Sequence, residues 1–307
     1  MRERIPIIRL RNDHGDVDVR DGVILYFFMR RSHAEVSPAV WRALQTYLRA
    51  IPPKSLNWYG SDDGDTLPLD DQGWEQTRKD MLERPWSGTA RHVSLAETTG
   101  EAGSYHFNYD GRQLDNELFS RDERATSGVS FSFPTEYLLE HGPAHLRALA
   151  LALGRELPFN FGYASLAFVS HPGIWYGVRR QLLGLLTRYL GLDLCHQIET
   201  SRNIGTGVRG AYWLTFLGQP LLGQLGGTEG LRQQLSSPEV TFEPMEGERL
   251  LLTLGEWPEA MDTEKGAPPS QYQALARLVE PYICEEGGDW PPMTREYMHR
   301  WLRRLCQ

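Results

Sequence analysis

Eight short segments of the chain are rich in apolar, aromatic and β-branched residues and are bounded by glycine, proline or polar residues. This pattern predicts β-strands. They cover residues 23–29, 91–98, 104–111, 128–134, 163–170, 211–217, 240–245 and 249–255. The first is apolar at every position, which is typical of a strand buried on both faces. Short turns join the second to the third and the seventh to the eighth, so we expect two antiparallel pairs there.

Between these segments, apolar residues recur every three or four positions, as they do on one face of an amphipathic helix. The first helix is predicted to start at Ser37 and Pro38, a capping residue and a proline at the first helical position, and to stop at Pro52. Further helices are predicted around residues 74–82, 143–157, 174–191, 231–237, 270–282 and 297–305. Four residues are expected in the core: Trp41, Leu44, Trp213 and Phe216.

Strands and helices are mixed without a regular βα alternation, and several strands follow one another directly. This order favours an α+β fold, with a mixed, largely antiparallel sheet packed with amphipathic helices. No low-complexity linker divides the chain. We therefore expect two sheet-centred halves in one compact unit, a single domain over residues 1–307. The best candidate for a subdomain boundary is polar and lies near residues 115–128.

The net charge of −8 argues against direct binding to nucleic acid, because phosphates require a basic face, and it suits a basic protein partner. No apolar run approaches the length of a membrane span, and the N-terminus lacks a signal-peptide core. We therefore expect a cytoplasmic protein without membrane association; a homodimer is compatible with the sequence. Cys195, Cys284 and Cys306 are too far apart for a disulfide framework or a zinc knuckle.

Gly205, Gly207 and Gly210 have the G-x-G-x-x-G spacing of a dinucleotide-binding turn. That turn requires a strand before the glycines and a helix after them, so that the helix N-terminus faces the pyrophosphate. Here a strand, residues 211–217, follows instead. The glycines are therefore interpreted as a loop that leads into a core strand, and we expect no nucleotide cofactor.

Residues that could support catalysis or bind a metal are scattered. His141 and His145 are separated by Gly142-Pro143, so His141 is expected ahead of the helix and off its face. Cys195 and His196 are adjacent and should point in different directions. Neither a nucleophile elbow nor a Walker motif occurs. We predict no catalytic, cofactor-binding or metal-binding residues; an unrecognised site around His106, Tyr109 and Asp110 is the enzymatic alternative.

The densest acidic segment is SDDGDTLPLDDQGWE, residues 61–75. Aromatic residues beside charge are common in the regions of an interface that carry most of its binding energy. The residues predicted to bind a partner are therefore Asp62, Asp63, Asp65, Asp70, Asp71, Trp58 and Tyr59. The alternative is a loop whose aspartates are only solvated and whose aromatic side chains pack inward.

Several segments resemble, in order along the chain, those of a bacterial protein family. In chain order they are VILYFFM at residues 23–29, GYASLAF at 162–168, RGAYWLTFLG at 209–218, PLLGQLGG at 220–227, LRQQL at 231–235 and LLTLGEWP at 251–258. The family is the type VI secretion immunity family, whose members accompany nuclease effectors of the VRR or restriction-endonuclease-like type.

The resemblance implies a non-enzymatic, cytoplasmic protein that binds a cognate nuclease toxin and neutralises it. It supplies no catalytic motif. Two alternatives remain open, an adaptor or chaperone that holds an effector without inhibiting it, and an enzyme with an unrecognised site. A purified nuclease assay distinguishes an inhibitor from an adaptor.

Overall fold

The computed structural model describes residues 5–83, 90–170, 177–194, 196–286 and 293–307. Within these ranges, eleven strands form one sheet in the order β10-β11-β9-β8-β2-β7-β6-β5-β3-β4, with β1 paired to β2 beside this path. The strands are β1 (Arg9–Arg11), β2 (Val17–Met29), β3 (Trp58–Gly60), β4 (Thr66–Pro68), β5 (Ala90–Ala96), β6 (His106–Arg112), β7 (Ser127–Pro134), β8 (Phe161–Val169), β9 (Leu214–Leu217), β10 (Val240–Met245) and β11 (Arg249–Leu254). Each of these strand pairings is antiparallel.

The central strand is β2, which pairs with β7 on one side and with β8 on the other. Its apolar stretch is buried throughout, as its sequence predicts. Because both neighbours pair with β2, the two sheet-centred halves join edge to edge in a single sheet. The predicted α+β class and the largely antiparallel sheet are therefore confirmed. The segment near residues 115–128 joins β6 to its neighbour β7, and the single-domain assignment stays a prediction.

Ten helices occur in the described residues. They are α1 (His33–Ala50), α2 (Asp71–Leu82), α3 (Thr135–His141), α4 (Pro143–Glu156), α5 (Arg179–Arg188), α6 (Gln197–Asn203), α7 (Leu221–Gln224), α8 (Gly227–Gln234), α9 (Ser270–Val279) and α10 (Arg295–Leu302), with a 3-10 turn at Glu280–Tyr282. The first residues of the helix predicted over 174–191 lie outside the described residues.

The predicted start of the first helix is wrong. Helix α1 begins at His33, and Pro38 lies inside it. The start is fixed by Ser32 and Glu35, because the backbone N–H of Ser32 donates to Glu35 Oε1 at 3.0 Å. This return bond from the third helical residue is half of a capping box, which a search centred on the proline overlooks.

The helices α1 and α4 cover one face of the sheet, called here the first face. Tyr47 of α1 packs on Phe131 and Phe133 of β7, with ring centroids 5.3 and 5.1 Å apart. On the opposite, second face, Tyr26 of β2 packs on Tyr163 of β8 at 5.5 Å. Helix α6 lies on this second face, against β6 and β7. Both faces of the central strands are therefore covered.

The predicted core residues are buried with one exception. Leu44, Trp213 and Phe216 expose at most 1% of their surface. Trp41 is only half-buried and packs against the margin of the core. On the fully buried side of α1 lies Tyr47 instead. Its hydroxyl donates to the backbone O of Ser132 at 2.6 Å.

Candidate partner-binding site

The first acidic residues of the predicted site lie on a hairpin at one end of the sheet. Strand β4 is last in the sheet order, and β3 joins it to β5. The backbone N–H of Ser61 donates to the O of Asp65 at 2.8 Å, and Gly64 adopts a φ of 89° in the turn. A left-handed φ of this kind favours glycine. The carboxylates of Asp62, Asp63 and Asp65 therefore project from a hydrogen-bonded turn.

Asp70 and Asp71 begin helix α2, which packs directly on the hairpin. Asp70 is the N-cap, and its Oδ1 accepts from the N–H of Gly73 at 2.9 Å. A Cβ at Gly73 would lie 2.7 Å from the O of Pro68 and 3.0 Å from the ring of Tyr59. Only glycine permits this approach, so hairpin and helix pack closely as one unit. We call residues 58–83 the acidic edge.

The two aromatic residues of the predicted site lie on opposite faces of β3, because successive side chains in a strand alternate. Tyr59 is half-buried and packs beneath α2 against Gly73. Trp58 is also half-buried and points to the other face. Tyr59 therefore helps to hold the unit together, while Trp58 is the better placed of the two to contact a partner.

The acidic edge contains most of the net charge of the protein. It holds eight acidic residues and two basic ones, a net charge of −6, while the whole chain has −8. Asp63, Asp65 and Asp71 are exposed, and their side chains form no hydrogen bond or ion pair with other described residues. Asp62 lies 3.5 Å from the largely buried guanidinium of Arg91. Three of the eight carboxylates are therefore unpaired among the described residues, and the unit keeps its excess of negative charge.

Helix α2 extends the acidic surface beyond the residues predicted from the sequence. Glu75 accepts hydrogen bonds from Arg78 and Lys79, which lower its pKa to about 2 and keep it ionised. Asp80 and Glu83 continue the acidic run towards the end of the helix. The sequence could have indicated this extension, because these acidic residues lie within or directly after the predicted helix that follows Asp71. Of the four large hydrophobic residues that are exposed in the described part of the chain, Leu67 and Leu82 also belong to the acidic edge.

The residues of the enzymatic alternative do not form one site. Tyr109 points to the first face, where its hydroxyl lies 2.9 Å from His33 Nδ1. His106 and Asp110 point to the second face, because they alternate with Tyr109 along β6. Asp110 Oδ2 is held by Arg112 Nη2 at 2.5 Å and by Ser201 Oγ at 3.0 Å. A carboxylate fixed in this way supports the fold and is a poor general base.

The second face does hold a small cavity of about 120 Å³. Its floor comes from three neighbouring strands and comprises Ile24 and Tyr26 of β2, Ser132 of β7, and His106 and Asn108 of β6. Ile24 and His106 lie on either side of Ser132 in register. Helix α6, the end of β8 and two further histidines, His92 and His196, line the rest. We call it the histidine cavity.

The glycine-rich loop at residues 204–210 shapes the entry to β9, as predicted. Gly205 adopts a φ of 52°, and a Cβ at Gly207 would lie 2.5 Å from the O of Tyr282. Between the glycines, Val208 forms an isolated bridge with Ile283. The loop leads to β9 and not to a helix. These contacts explain the glycines without a phosphate.

The same loop places Arg209 in a buried group of charges, the Arg209 cluster. Arg209 ion-pairs with Asp193, at 3.3 Å, and with Glu286, and it donates to Thr200 Oγ1 at 2.9 Å. Asp193 also accepts from Tyr212, at 3.2 Å. Arg209 and Asp193 are fully buried. These partners lie in separate segments of the second half of the chain. Their bonds therefore hold those segments together around Arg209.

Two further predictions concern the remaining histidines and cysteines. His141 ends α3, ahead of the helix that starts at Pro143 as predicted, and its ring still lies 5.0 Å from that of His145 in α4. Tyr137 packs on both rings. Cys195 lies outside the described residues. Within the described ranges, no group of three or more His, Cys, Asp or Glu side chains has the arrangement of a metal site.

A scan against protein families matches residues 39–305 to the family described as type VI immunity for VRR-NUC. The chain belongs to this family. The match includes the acidic edge, the histidine cavity except the floor residues of β2, and the Arg209 cluster. It thus agrees with the resemblance seen in the sequence.

The solved structures add support for the fold. The Pseudomonas aeruginosa T6SS protein PA0821 aligns with a TM-score of 0.80 and 19% sequence identity, over 98% of this chain and 88% of that one. At this identity the likeness concerns the fold alone. A search of curated proteins found no match. Among the described residues, no helix combines the length and the apolar character that a bilayer span requires.

Proposed function

We propose that this protein binds a cognate VRR-type nuclease effector in the cytoplasm and neutralises it, acting as a binding protein and not as an enzyme. The family match supports the class of function. The observation that carries the mode of binding is the concentration of charge, since the acidic edge holds −6 of the net −8 on one closely packed hairpin–helix unit.

The acidic edge is the proposed docking surface. A nuclease must present a basic cleft to bind phosphates, so an acidic surface competes for that cleft and accelerates the encounter. Asp62, Asp63, Asp65, Asp70 and Asp71 supply this field, and Trp58 supplies an aromatic contact beside it. Tyr59 contributes by holding the hairpin under α2. The hairpin and helix need not reorganise on binding, because their contact is already tight at Gly73.

The test is a purified assay with the cognate VRR-type nuclease, which measures DNA cleavage and association kinetics over a range of salt concentrations. The variant replaces Asp62, Asp63 and Asp65 by Asn. A matched control replaces Glu101, Glu117 and Glu123 by Gln. These three exposed carboxylates lie on the β5–β6 and β6–β7 connections, and replacing them removes the same amount of charge as the aspartate variant.

We expect the unmodified protein and the control to inhibit cleavage equally, whereas the aspartate variant associates more slowly and loses salt dependence. Equal kinetics for the two variants would exclude the acidic edge as the docking surface and leave the immunity function intact. Tight binding without inhibition would instead favour an adaptor or chaperone.

A further inference from the structure

Ser132 places a buried hydroxyl in the floor of the histidine cavity. It exposes only 6% of its surface, and Phe131 and Phe133 on either side pack against Tyr47 on the first face. Ser132 Oγ forms no hydrogen bond with another described residue. Because Ser132 lines the cavity, its hydroxyl is available to a molecule bound there.

Asn108 lies beside Ser132 on the cavity floor and presents a second polar group. Its Oδ1 accepts from Ser94 Oγ at 2.8 Å, which leaves the amide Nδ2 as a donor facing the cavity. Gln197, on the opposite wall, is fully engaged, since it accepts from Ser130 at 2.6 Å and donates to the O of Gly128 at 3.0 Å. Gln197 therefore shapes the wall, whereas Ser132 and Asn108 offer hydrogen bonds to a ligand.

The polar lining of the cavity favours a ligand that accepts hydrogen bonds. No Asp or Glu is found among the described residues that line the cavity. The next residue on this face of β6 is Asp110, whose carboxylate is bound by Arg112 and Ser201. The donors that face the cavity are the hydroxyl of Ser132 and the amide Nδ2 of Asn108.

The size of the cavity limits the ligand. A cavity of about 150 Å³ holds benzene in another protein, and this one measures about 120 Å³. Ile24, Tyr26 and Leu194 give it partly apolar walls. We propose that the histidine cavity binds a small oxyanion, a short carboxylate or a phosphate of about four to six non-hydrogen atoms. This site is separate from the acidic edge, and the proposal does not depend on nuclease binding.

The first test uses the unmodified protein and follows the histidine ring signals by NMR during titrations with sodium acetate, propionate and phosphate. Sodium chloride controls for ionic strength, and acetamide serves as the neutral counterpart of acetate. We expect saturable shifts of the His92, His106 and His196 signals with at least one oxyanion, and none with chloride. The stronger of the carboxylate and phosphate responses identifies the ligand type. Equal binding of acetamide and acetate, or no saturable response, would overturn the proposal.

The second test compares two serine variants. Ser132→Ala removes the inward hydroxyl with little change in volume and should weaken oxyanion binding at least about tenfold. Ser165→Ala is the matched control, because Ser165 is buried on the same face of β8, donates to the O of Gly191, and does not line the cavity. Unchanged affinity in a folded Ser132→Ala variant would contradict the assignment, as would an equal loss in the control. If Ser132→Ala does not fold, the comparison of acetate with acetamide in the unmodified protein still tests whether the cavity binds an oxyanion.

Discussion

The Arg209 cluster and the acidic edge use the same kinds of charged side chain in opposite surroundings. In the cluster, Arg209 and Asp193 are fully buried, and each has partners within hydrogen-bonding distance. On the acidic edge, Asp63 and Asp65 are exposed and unpaired among the described residues. A buried charge without a partner destabilises a protein by several kcal/mol, whereas exposed charges contribute little. Charges in the cluster therefore stabilise the fold, and those on the edge remain available to a partner.

The largest effect is expected from breaking the cluster. Arg209→Met keeps a side chain of similar length but leaves Asp193 and Glu286 buried without their cation. We expect the free energy of unfolding to fall by about 3–5 kcal/mol. Denaturant titration, followed by circular dichroism, measures this. A loss below about 1 kcal/mol would place these carboxylates in contact with solvent and contradict the comparison.

The next effect concerns His33, a buried residue close to the acidic edge. Burial, with a further contribution from the positive charge of Arg91, lowers its pKa to about 4. The unfolded value is near 6.5, so the unfolded chain takes up the proton first. The stability contribution is complete above pH 6.5, decreases as the pH falls, and is lost below pH 4.

We expect this contribution to be about 2–3 kcal/mol, and His33→Gln should remove that part of the pH dependence. His141→Gln, at an exposed histidine, is the control. The measurement is the unfolding free energy of each variant at several pH values between 4 and 7. Parallel curves for the unmodified protein and His33→Gln would show that His33 is not the titrating group.

A smaller effect is expected at the contact between α2 and the hairpin. Gly73→Ala adds a Cβ 2.7 Å from the O of Pro68, which forces the helix and hairpin apart. Overpacking of this kind costs about 1–3 kcal/mol. Hydrogen exchange in β3 and β4 should increase. Gly184→Ala, in α5 with open space around the position, is the control and should not destabilise the protein. Unchanged exchange in Gly73→Ala would mean that the edge is not one closely packed unit.

The smallest effect on stability is expected from Asp62, Asp63 and Asp65 replaced together by Asn. Each exposed substitution should change the unfolding free energy by no more than about 0.5 kcal/mol. The same variant should change association with the nuclease most. A large loss of stability would show that these carboxylates support the fold, and the contrast with the Arg209 cluster would disappear.

The local pattern of apolar and polar residues predicted most helices and strands. It failed where residues distant in sequence determine whether a segment forms a strand. The apolar part of β2 was predicted, but its first residues, from Val17, contain Asp18 and Asp21 and look unlike a strand. They fit because Asp18 accepts from Asn12 at 2.9 Å and Asp21 accepts from the backbone N–H of Ile8 at 2.7 Å. Such partners become visible only when the fold brings them together.

The two candidate sites differ in the same way. The acidic edge is contiguous in sequence, so the density of aspartates was enough to find it. The histidine cavity joins Tyr26, Asn108 and Ser132, which are far apart in the chain. Their polar side chains meet only because β6 and β2 pair on either side of β7. No local pattern could have indicated this register.

The position of β2 at the centre of the sheet has a consequence for synthesis. Its neighbours β7 and β8 end at Pro134 and Val169, so the strand leaves the ribosome well before either partner exists. At about 5–20 residues per second, roughly 7–28 seconds separate the completion of β2 from that of β8. The thirteen-residue, largely apolar strand has only β1 to pair with until β7 is made, and it lacks β8 for the whole interval. Until both neighbours are made, this apolar segment is accessible to chaperones that bind nascent chains.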